Sequence, residues 1–205
     1  APRLERVLSP ERLALLRLAV HQAESQGDAI YIVGGFVRDL VLGLPSVDFD
    51  LVVEGDAIAL ARGLAAAYGG RVSSHTRFGT AKWHLDRQHA GLLRAVGAPG
   101  DASHDLPASL DLVSARTEFY AHPTALPSVQ RGSIKLDLHR RDFTINTLAL
   151  RLDGRHYGEL LDPWGGGRDL SDRVIRVLHS ISFIDDPTRM LRAARLEQRL
   201  GFTIE

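Results

Sequence analysis

The chain has 205 residues, with 25 Lys and Arg balanced by 25 Asp and Glu for a formal net charge of zero, and it has no cysteine. That length holds one ordinary domain with a real core, or a domain plus part of another. The composition excludes disulfides and thiolate metal sites, no apolar run reaches membrane-spanning length, and without a general basic excess any nucleic-acid contact must rest on a local cluster. The charged opening APRLERVLSPE lacks the apolar region of a signal peptide, so a soluble chain of a reducing, cytoplasmic compartment is expected.

In chain order, residues 10–26 predict a helix, with Ser9 as N-cap and Pro10 at the first position. AIYIV (29–33) reads as a short buried strand. Gly34 and Gly35 break it, and FVRDLVLG reads as a short helix ending at Gly43. SVDFDLVVE alternates polar and apolar residues around Asp48 and Asp50 and predicts a strand. Residues 56–68 are Ala/Leu-rich and helical, closed by Gly69 and Gly70. GTAKWHLD (79–86) and SLDLVSAR (109–116) predict two more strands, joined by a polar stretch, GAPGDASHDLPA, that reads as a mobile loop. Residues 121–135 form a Pro-containing connection. RRDFTINTLALRL (140–152) begins charged with apolar residues at helical spacing and then turns into a strand. DPWGGGRDLSDRVIRVL reads as turn, short helix, strand. Asp185 or Asp186 caps a last helix that has Pro187 at its first position. Strands interspersed with helices over one sheet predict an α/β or α+β domain. The stop at Glu205, as the last helix hands over, reads as a fragment of a longer protein.

Asp48 and Asp50, at i and i+2 of a strand, share a face about 6.6–6.8 Å apart along it, while Phe49 and Leu51 take the other. Two close carboxylates repel unless a cation lies between them, and hard oxygen donors suit Mg²⁺. A bare D-x-D is common and by itself reads as a solvated turn or a cap. In SLDLVSAR, Asp111 lies on the face opposite Leu110 and Leu112; beside the first strand it completes a two-metal site, and by itself it is an ordinary exposed strand residue.

The strand that runs into Gly34-Gly35 and then a helix exposes backbone N–H groups to an anion, with Arg38 one turn on to add charge-assisted bonds. The plain alternative is a strand-to-helix turn in which Arg38 pairs with Asp39. No standard phosphate loop is present, and GGGRDL at 165 reads as a turn. Arg140, Arg141 and Asp142 stand at a predicted helix start with Asn146 a turn later: the arginines suit a triphosphate, Asp142 and Asn146 a ribose or base, and the alternative is a solvated charged helix entrance. Arg189, Arg192, Arg195 and Arg199 share one broad helix face. Asp186 and Arg189, i and i+3, offer an acceptor and a donor fork for a base edge, or simply a capped helix with a local ion pair.

In order along the chain, VGGFVRD…DFD, RRDFTINTLAL, LLDPWGGGRDL…VIRVL and DDPTRMLRAARLEQRLGF resemble the catalytic head of the bacterial-type (class II) tRNA nucleotidyltransferase and poly(A) polymerase family, a branch of the DNA-polymerase-beta-like nucleotidyltransferases. The resemblance runs from about Ala29 to Phe202. It implies an α+β head, a mixed sheet with flanking helices, over residues 28–180, after an N-terminal helical segment (1–27) and before the start of a helical neck (181–205), with body and tail absent. It implies that Asp48 and Asp50 bind metal, that Asp111 supports them as a third catalytic carboxylate, and that two Mg²⁺ ions serve an in-line transfer of CMP or AMP from CTP or ATP to the 3′ end of tRNA. Gly34, Gly35 and Arg38 then match the phosphate-binding turn; Arg141, Asp142 and Asn146 the segment for ribose and triphosphate; Asp186 and Arg189, with Arg192 a turn beyond, the base-reading motif. Three positions depart from the family pattern: Asp185 stands for Glu, Thr147 for Ala and Leu196 for Phe. A poly(A) polymerase and an inactive nucleotide-binding regulatory module are the alternatives, and TEFYAHPTALPSV (117–129) is where a flexible specificity loop would sit.

Overall fold

The computed structural model describes residues 4–46, 48–97, 105–119 and 128–205. The N-terminal part runs α1 (Leu4–Val7), α2 (Pro10–Ser25), β1 (Ile30–Val33), α3 (Gly35–Leu42), β2 (Asp50–Val53) and α4 (Ala57–Tyr68). Next come β3 (Arg71–His75), β4 (Thr80–His84), α5 (Ala90–Ala95), β5 (Ser109–Ser114), β6 (Arg116–Phe119), β7 (Ser128–Arg131) and α6 (Ile134–His139). The chain continues through β8 (Ala149–Arg151), β9 (Leu160–Leu161), α7 (Gly166–Asp172), β10 (Val174–Ile175), α8 (Ser182–Asp185), α9 (Thr188–Leu200) and β11 (Thr203–Ile204).

Seven strands form one mixed sheet in the order β3-β4-β5-β2-β1-β8-β9. β1 is antiparallel to both β2 and β8, while β2 and β5 are parallel. The central strand β1 is buried along its whole length, because alternate residues serve two cores. Ile30 and Ile32 face the large core shared with α2, α3 and α4, and Tyr31 and Val33 face a smaller one with Val52, Ile134 and Leu138. Helices α2 to α5 thus cover one face of the sheet and α6 the other. α2 starts where the sequence places it: the Ser9 side chain accepts from the Arg12 N–H, and Leu15, Leu16, Ala19 and Ala23 go into the large core. α4 is capped by Asp56, which accepts from the N–H groups of Ile58 and Ala59.

Three expectations need correction. The strand expected over SVDFDLVVE is regular only from Asp50 onward; Asp48 and Phe49 lead into it. The alternation survives nonetheless: Phe49 is buried, edge-on to Phe36 with ring centroids 5.6 Å apart, while Asp48 and Asp50 stay exposed. The helical start expected at 140 is a single 3₁₀ turn, Thr144–Asn146, because the helix lies earlier as α6. In the last motif the chain makes α8 first, and Pro187 stands at the N-cap position of α9, with the Asp186 carboxylate accepting from the Thr188 N–H at 3.0 Å. The strand β3, the helix α5 and the β6–β7 hairpin were not anticipated. Most of the expected mobile loop (98–104) and the centre of the expected specificity loop (120–127) lie outside the described residues.

Candidate active site

The central strands bring the candidate residues to one end of the sheet. β1 ends at Val33, paired with Asp50 at the start of β2. β8 starts beside it, with Ala149 opposite Val33, and just before it stands Asn146. Leu51 pairs with Leu112 in parallel register, so Asp50 and Asp111, one residue earlier in each strand, are side by side. Crossing the sheet from β8, the order is Asn146, Gly34, Asp50, Asp111 and then Lys82, which pairs with Asp111 in β4.

The Gly-Gly turn has a physical reason at Gly34. Its φ is 71° and ψ −133°, a region open almost only to glycine. A Cβ there would lie 2.8 Å from Nη1 of Arg141, so this guanidinium packs on the turn itself. The N-terminus of α3, with its unpaired N–H groups, faces the same space. Arg38 behaves as the plain alternative foresaw: it is buried, donates through Nε to Asp39 at 2.8 Å, and through Nη1 to Asn146 Oδ1 at 2.7 Å. Asp39 also receives Arg199 at 2.7 Å. Arg38 therefore stiffens the turn and orients Asn146, and it lines the cleft without a free fork.

Arg140 and Arg141 are positioned by a residue the sequence did not single out. Asp137, fully buried on α6, accepts from Arg140 Nε and Nη2 at 3.0 and 2.8 Å and from Arg141 Nη2 at 3.0 Å. Glu118 of β6 receives Arg140 as well, at 3.0 Å. The i, i+3 and i, i+4 spacing of Asp137 to the two arginines was a readable signal. Asp142 accepts from the Phe143 N–H at 2.8 Å and from Asn146 Nδ2 at 2.9 Å, which ties the two residues together.

At the far wall, Arg189 is 5% exposed and donates to the Ser182 hydroxyl and to the Arg140 carbonyl. Its Nε lies 3.8 Å from Asp186 and makes no hydrogen bond. Asp186 is held closely by Arg192, at 2.6 Å. Partial burial pushes the Asp186 carboxyl up, but the Thr188 hydroxyl and N–H, with Arg192 and Arg189, outweigh it and hold it below the usual carboxylate range. Gly34, Gly35, Arg38, Asp50, Arg140, Arg141, Asp142, Asn146, Asp186, Arg189 and Arg192 all line one cleft of about 680 Å³, with Arg195 and Arg199 beside them. Buried donors without partners are rare, and two in this cleft's walls, Nε of Arg141 and Nε of Arg189, have none.

Asp48, Asp50 and Asp111 line a neighbouring cavity. The Asp50 residue opens on solvent, but protein surrounds its carboxyl on most sides; this desolvation first and the Asp111 carboxylate second push it above its ordinary range, while Arg141 and Lys82 oppose the shift and Asp48 adds to it. Asp111 is neutralised by Lys82 at 3.1 Å. Lys82 was another omission, although the alternation of GTAKWHL around buried Trp83 puts it on the Asp111 side of the strand. Among the described residues no three acidic or imidazole side chains converge tightly enough to hold an ion unaided. Mg²⁺ rarely needs such a cage, since it keeps waters and uses one or two carboxylates plus substrate phosphates. Hard oxygen donors short of positive charge at Asp50 fit such a cation. The triple glycine is only partly the expected turn: Gly165 is left-handed at the N-cap of α7, Gly166 and Gly167 begin the helix, and the Asp162 carboxylate accepts from their N–H groups at 2.7 and 2.9 Å.

A mixed sheet with a Gly-Gly turn, carboxylates side by side on two adjacent parallel strands and an arginine-walled cleft define a head domain of the nucleotidyltransferase class. The chain belongs to the poly(A) polymerase head-domain family, whose model matches residues 30–176. It is 48% identical over 175 residues to an A-adding tRNA nucleotidyltransferase of Geobacter sulfurreducens, covering 85% of this chain and 18% of that protein. It is 42% identical to the A-adding enzyme of Halalkalibacterium halodurans (98% and 43% covered) and 39% identical to the CC-adding enzyme of Deinococcus radiodurans (82% and 40%). Among solved structures, an apo CCA-adding enzyme superposes with a TM-score of 0.84 at 40% identity, over 100% of this chain and 44% of that one. A CCA-adding enzyme in complex with CTP gives 0.77 at 38% identity, over 100% and 41%. The chain spans less than half the length of these relatives.

Proposed function

We propose that this chain is the catalytic head of a template-independent RNA nucleotidyltransferase that adds AMP, CMP or both, from ATP and CTP, to the 3′ end of tRNA in the cytoplasm. The observation that carries the reading is the juxtaposition at Asp50: the Asp111 carboxylate beside it in the sheet register on one side and a cleft walled by arginines on the other. Three A-adding relatives at 48%, 47% and 42% identity, against CC-adding ones at 39% and 35%, favour AMP addition, while a fourth A-adding relative stands at 36%. We retain residues 1–27 as an N-terminal segment, 28–180 as the head and 181–205 as the start of a neck.

In this reading Asp48 and Asp50 hold Mg²⁺, in two ions. When bound, Mg²⁺ supplies Lewis-acid neutralisation of the triphosphate and lowers the pKa of the attacking 3′-hydroxyl. The chain's own residues do the positioning. The α3 N-terminus and Arg141 meet the phosphates at the Gly34 turn. Asn146, fixed by Arg38 and Asp142, takes the ribose. Asp186 offers an acceptor to the edge of the base, and the Arg189 guanidinium lines the cleft beside it. Asp111, held by Lys82 beside Asp50, orients the RNA end. Most of the rate enhancement then comes from orientation and preorganised charge.

The test uses the full-length protein with labelled tRNAs ending before the CCA, after C or after CC, incubated with Mg²⁺ and ATP, CTP or both. A single AMP added to the CC-ending tRNA is the expected product; addition of C residues makes it a CC- or CCA-adding enzyme. A long A-tail would make it a poly(A) polymerase, and nucleotide binding with no addition to any tRNA would overturn the enzyme reading.

A further inference from the structure

The cleft above accounts for one substrate of a two-substrate reaction. An in-line displacement needs the attacking hydroxyl on the side of the phosphorus opposite the leaving pyrophosphate, with the carboxylates between. The sheet order decides which side that is. The nucleotide cleft lies on the β1 and β8 side of Asp50. On the β5 side two cavities reach Asp50 and Asp111. In the one that Lys82 bounds, Arg116 and Arg140 are already held by Glu118. The other, of about 560 Å³ and large enough for a nucleotide, is lined by Asp48, Asp50, Asp111, the Pro107–Leu110 segment, Arg12 and Arg87. Asp50 is common to all three spaces.

Arg87 is the feature of this cavity that the catalytic reading leaves unused. It sits in the turn after β4, which is fixed at both ends: the Asp86 carboxylate accepts from the Gln88 N–H at 3.1 Å, the Asp86 carbonyl from the His89 N–H at 3.0 Å, and Leu85 N–H donates to the Ala108 carbonyl at 3.1 Å. Arg87 is half-buried, and among the described residues no hydrogen bond or ion pair engages its side chain. Three carboxylates line the same cavity, and none of them is paired with it. A guanidinium in the wall of an acidic cavity, on a turn held by three hydrogen bonds and with no partner among the described residues, is suited to bidentate pairing with a phosphate. It also offsets the repulsion that a polyanion would meet there.

We propose that the Arg87 cavity receives the 3′-terminal nucleotides of the acceptor RNA, with Arg87 pairing a backbone phosphate and Asp111 beside the terminal hydroxyl; this rests on the nucleotidyltransferase reading. The test is steady-state kinetics of the full-length enzyme with Arg87→Ala and Arg87→Lys, varying tRNA and ATP separately. Arg87→Ala raises the KM for tRNA about tenfold and leaves the KM for ATP in place. The slope of log(kcat/KM) for tRNA against log[salt] becomes shallower by about 0.7–0.9. Arg87→Lys, which keeps the charge, restores the salt slope and part of the KM. An unchanged KM for tRNA, or equal losses for tRNA and ATP, would overturn the assignment while leaving the nucleotidyltransferase reading intact. A wild-type protein that extends no tRNA would remove both.

Discussion

Replacing Gly34 by alanine tests whether the Gly-Gly turn is a built cradle or only a bend in the chain. Its dihedrals, 71° and −133°, lie where a side chain costs about 1–3 kcal/mol. The new Cβ would also meet Nη1 of Arg141 at 2.8 Å. The guanidinium is flexible, but its Nη2 is bonded to the buried Asp137 at 3.0 Å, and weakening a bond between charged groups adds about 1–2 kcal/mol. A total of about 2–5 kcal/mol lowers the melting temperature of a chain this size by roughly 4–20 °C. Gly43→Ala is the control. Gly43 has the same φ of 71°, but ψ is 20° and there is nothing within 4 Å of its Cβ, so it costs only about 1–2 kcal/mol. Thermal melts followed by circular dichroism, with calorimetric titration of ATP, separate the two. Gly34→Ala loses more stability and also loses ATP affinity, because Arg141 is displaced; Gly43→Ala keeps its affinity. Equal melting points and unchanged ATP affinity in both variants would refute the cradle.

Asp50→Asn tests the charge imbalance at the carboxylates. The folded-state pKa of Asp50 lies above its unfolded value, so its ionisation costs stability as pH rises from about 4 through the folded pKa. In EDTA at pH 7 the Asn variant is therefore more stable than the wild type, and the advantage shrinks toward acid; chemical denaturation across pH reads this directly, and a variant less stable at neutral pH would contradict it. Arg189→Ala removes the bonds to Ser182 and to the Arg140 carbonyl from a buried site, at a cost of about 2–3 kcal/mol. Denaturant midpoints check that loss, and a change of a few tenths would show that Arg189 is not part of the wall.

Local chemistry was the legible part of this chain. Ser9 before Pro10, Gly43 after Leu42 and Phe49 between two aspartates each act through neighbours a few residues away, and each does in the fold what its type and spacing imply. What stayed hidden depends on register between distant segments. Nothing near Lys82 announces Asp111, 29 residues on, because the pairing exists only once β4 and β5 align. β3 was missed because RVSSH is an edge strand with one apolar residue, so it carries almost no periodic signal. Arg38 looked like a phosphate ligand because the sequence shows its charge but not the two acceptors, Asp39 and Asn146, that occupy it. The sequence motifs lead to residues that line one cleft, but not to the partners that hold them, since a buried Asp137 or Ser182 is read only from what packs on it.

The most direct measurement compares full-length wild-type, Asp48→Ala and Asp50→Ala proteins in single-turnover extension of labelled CC-ending tRNA with Mg²⁺ and ATP, with ATP binding and thermal melting recorded on the same samples. If these carboxylates carry the chemistry, both variants stay folded and still bind ATP through the arginine cleft, yet transfer falls to the level of the wild type in EDTA. Transfer by Asp50→Ala at a wild-type rate would contradict the assignment of this site.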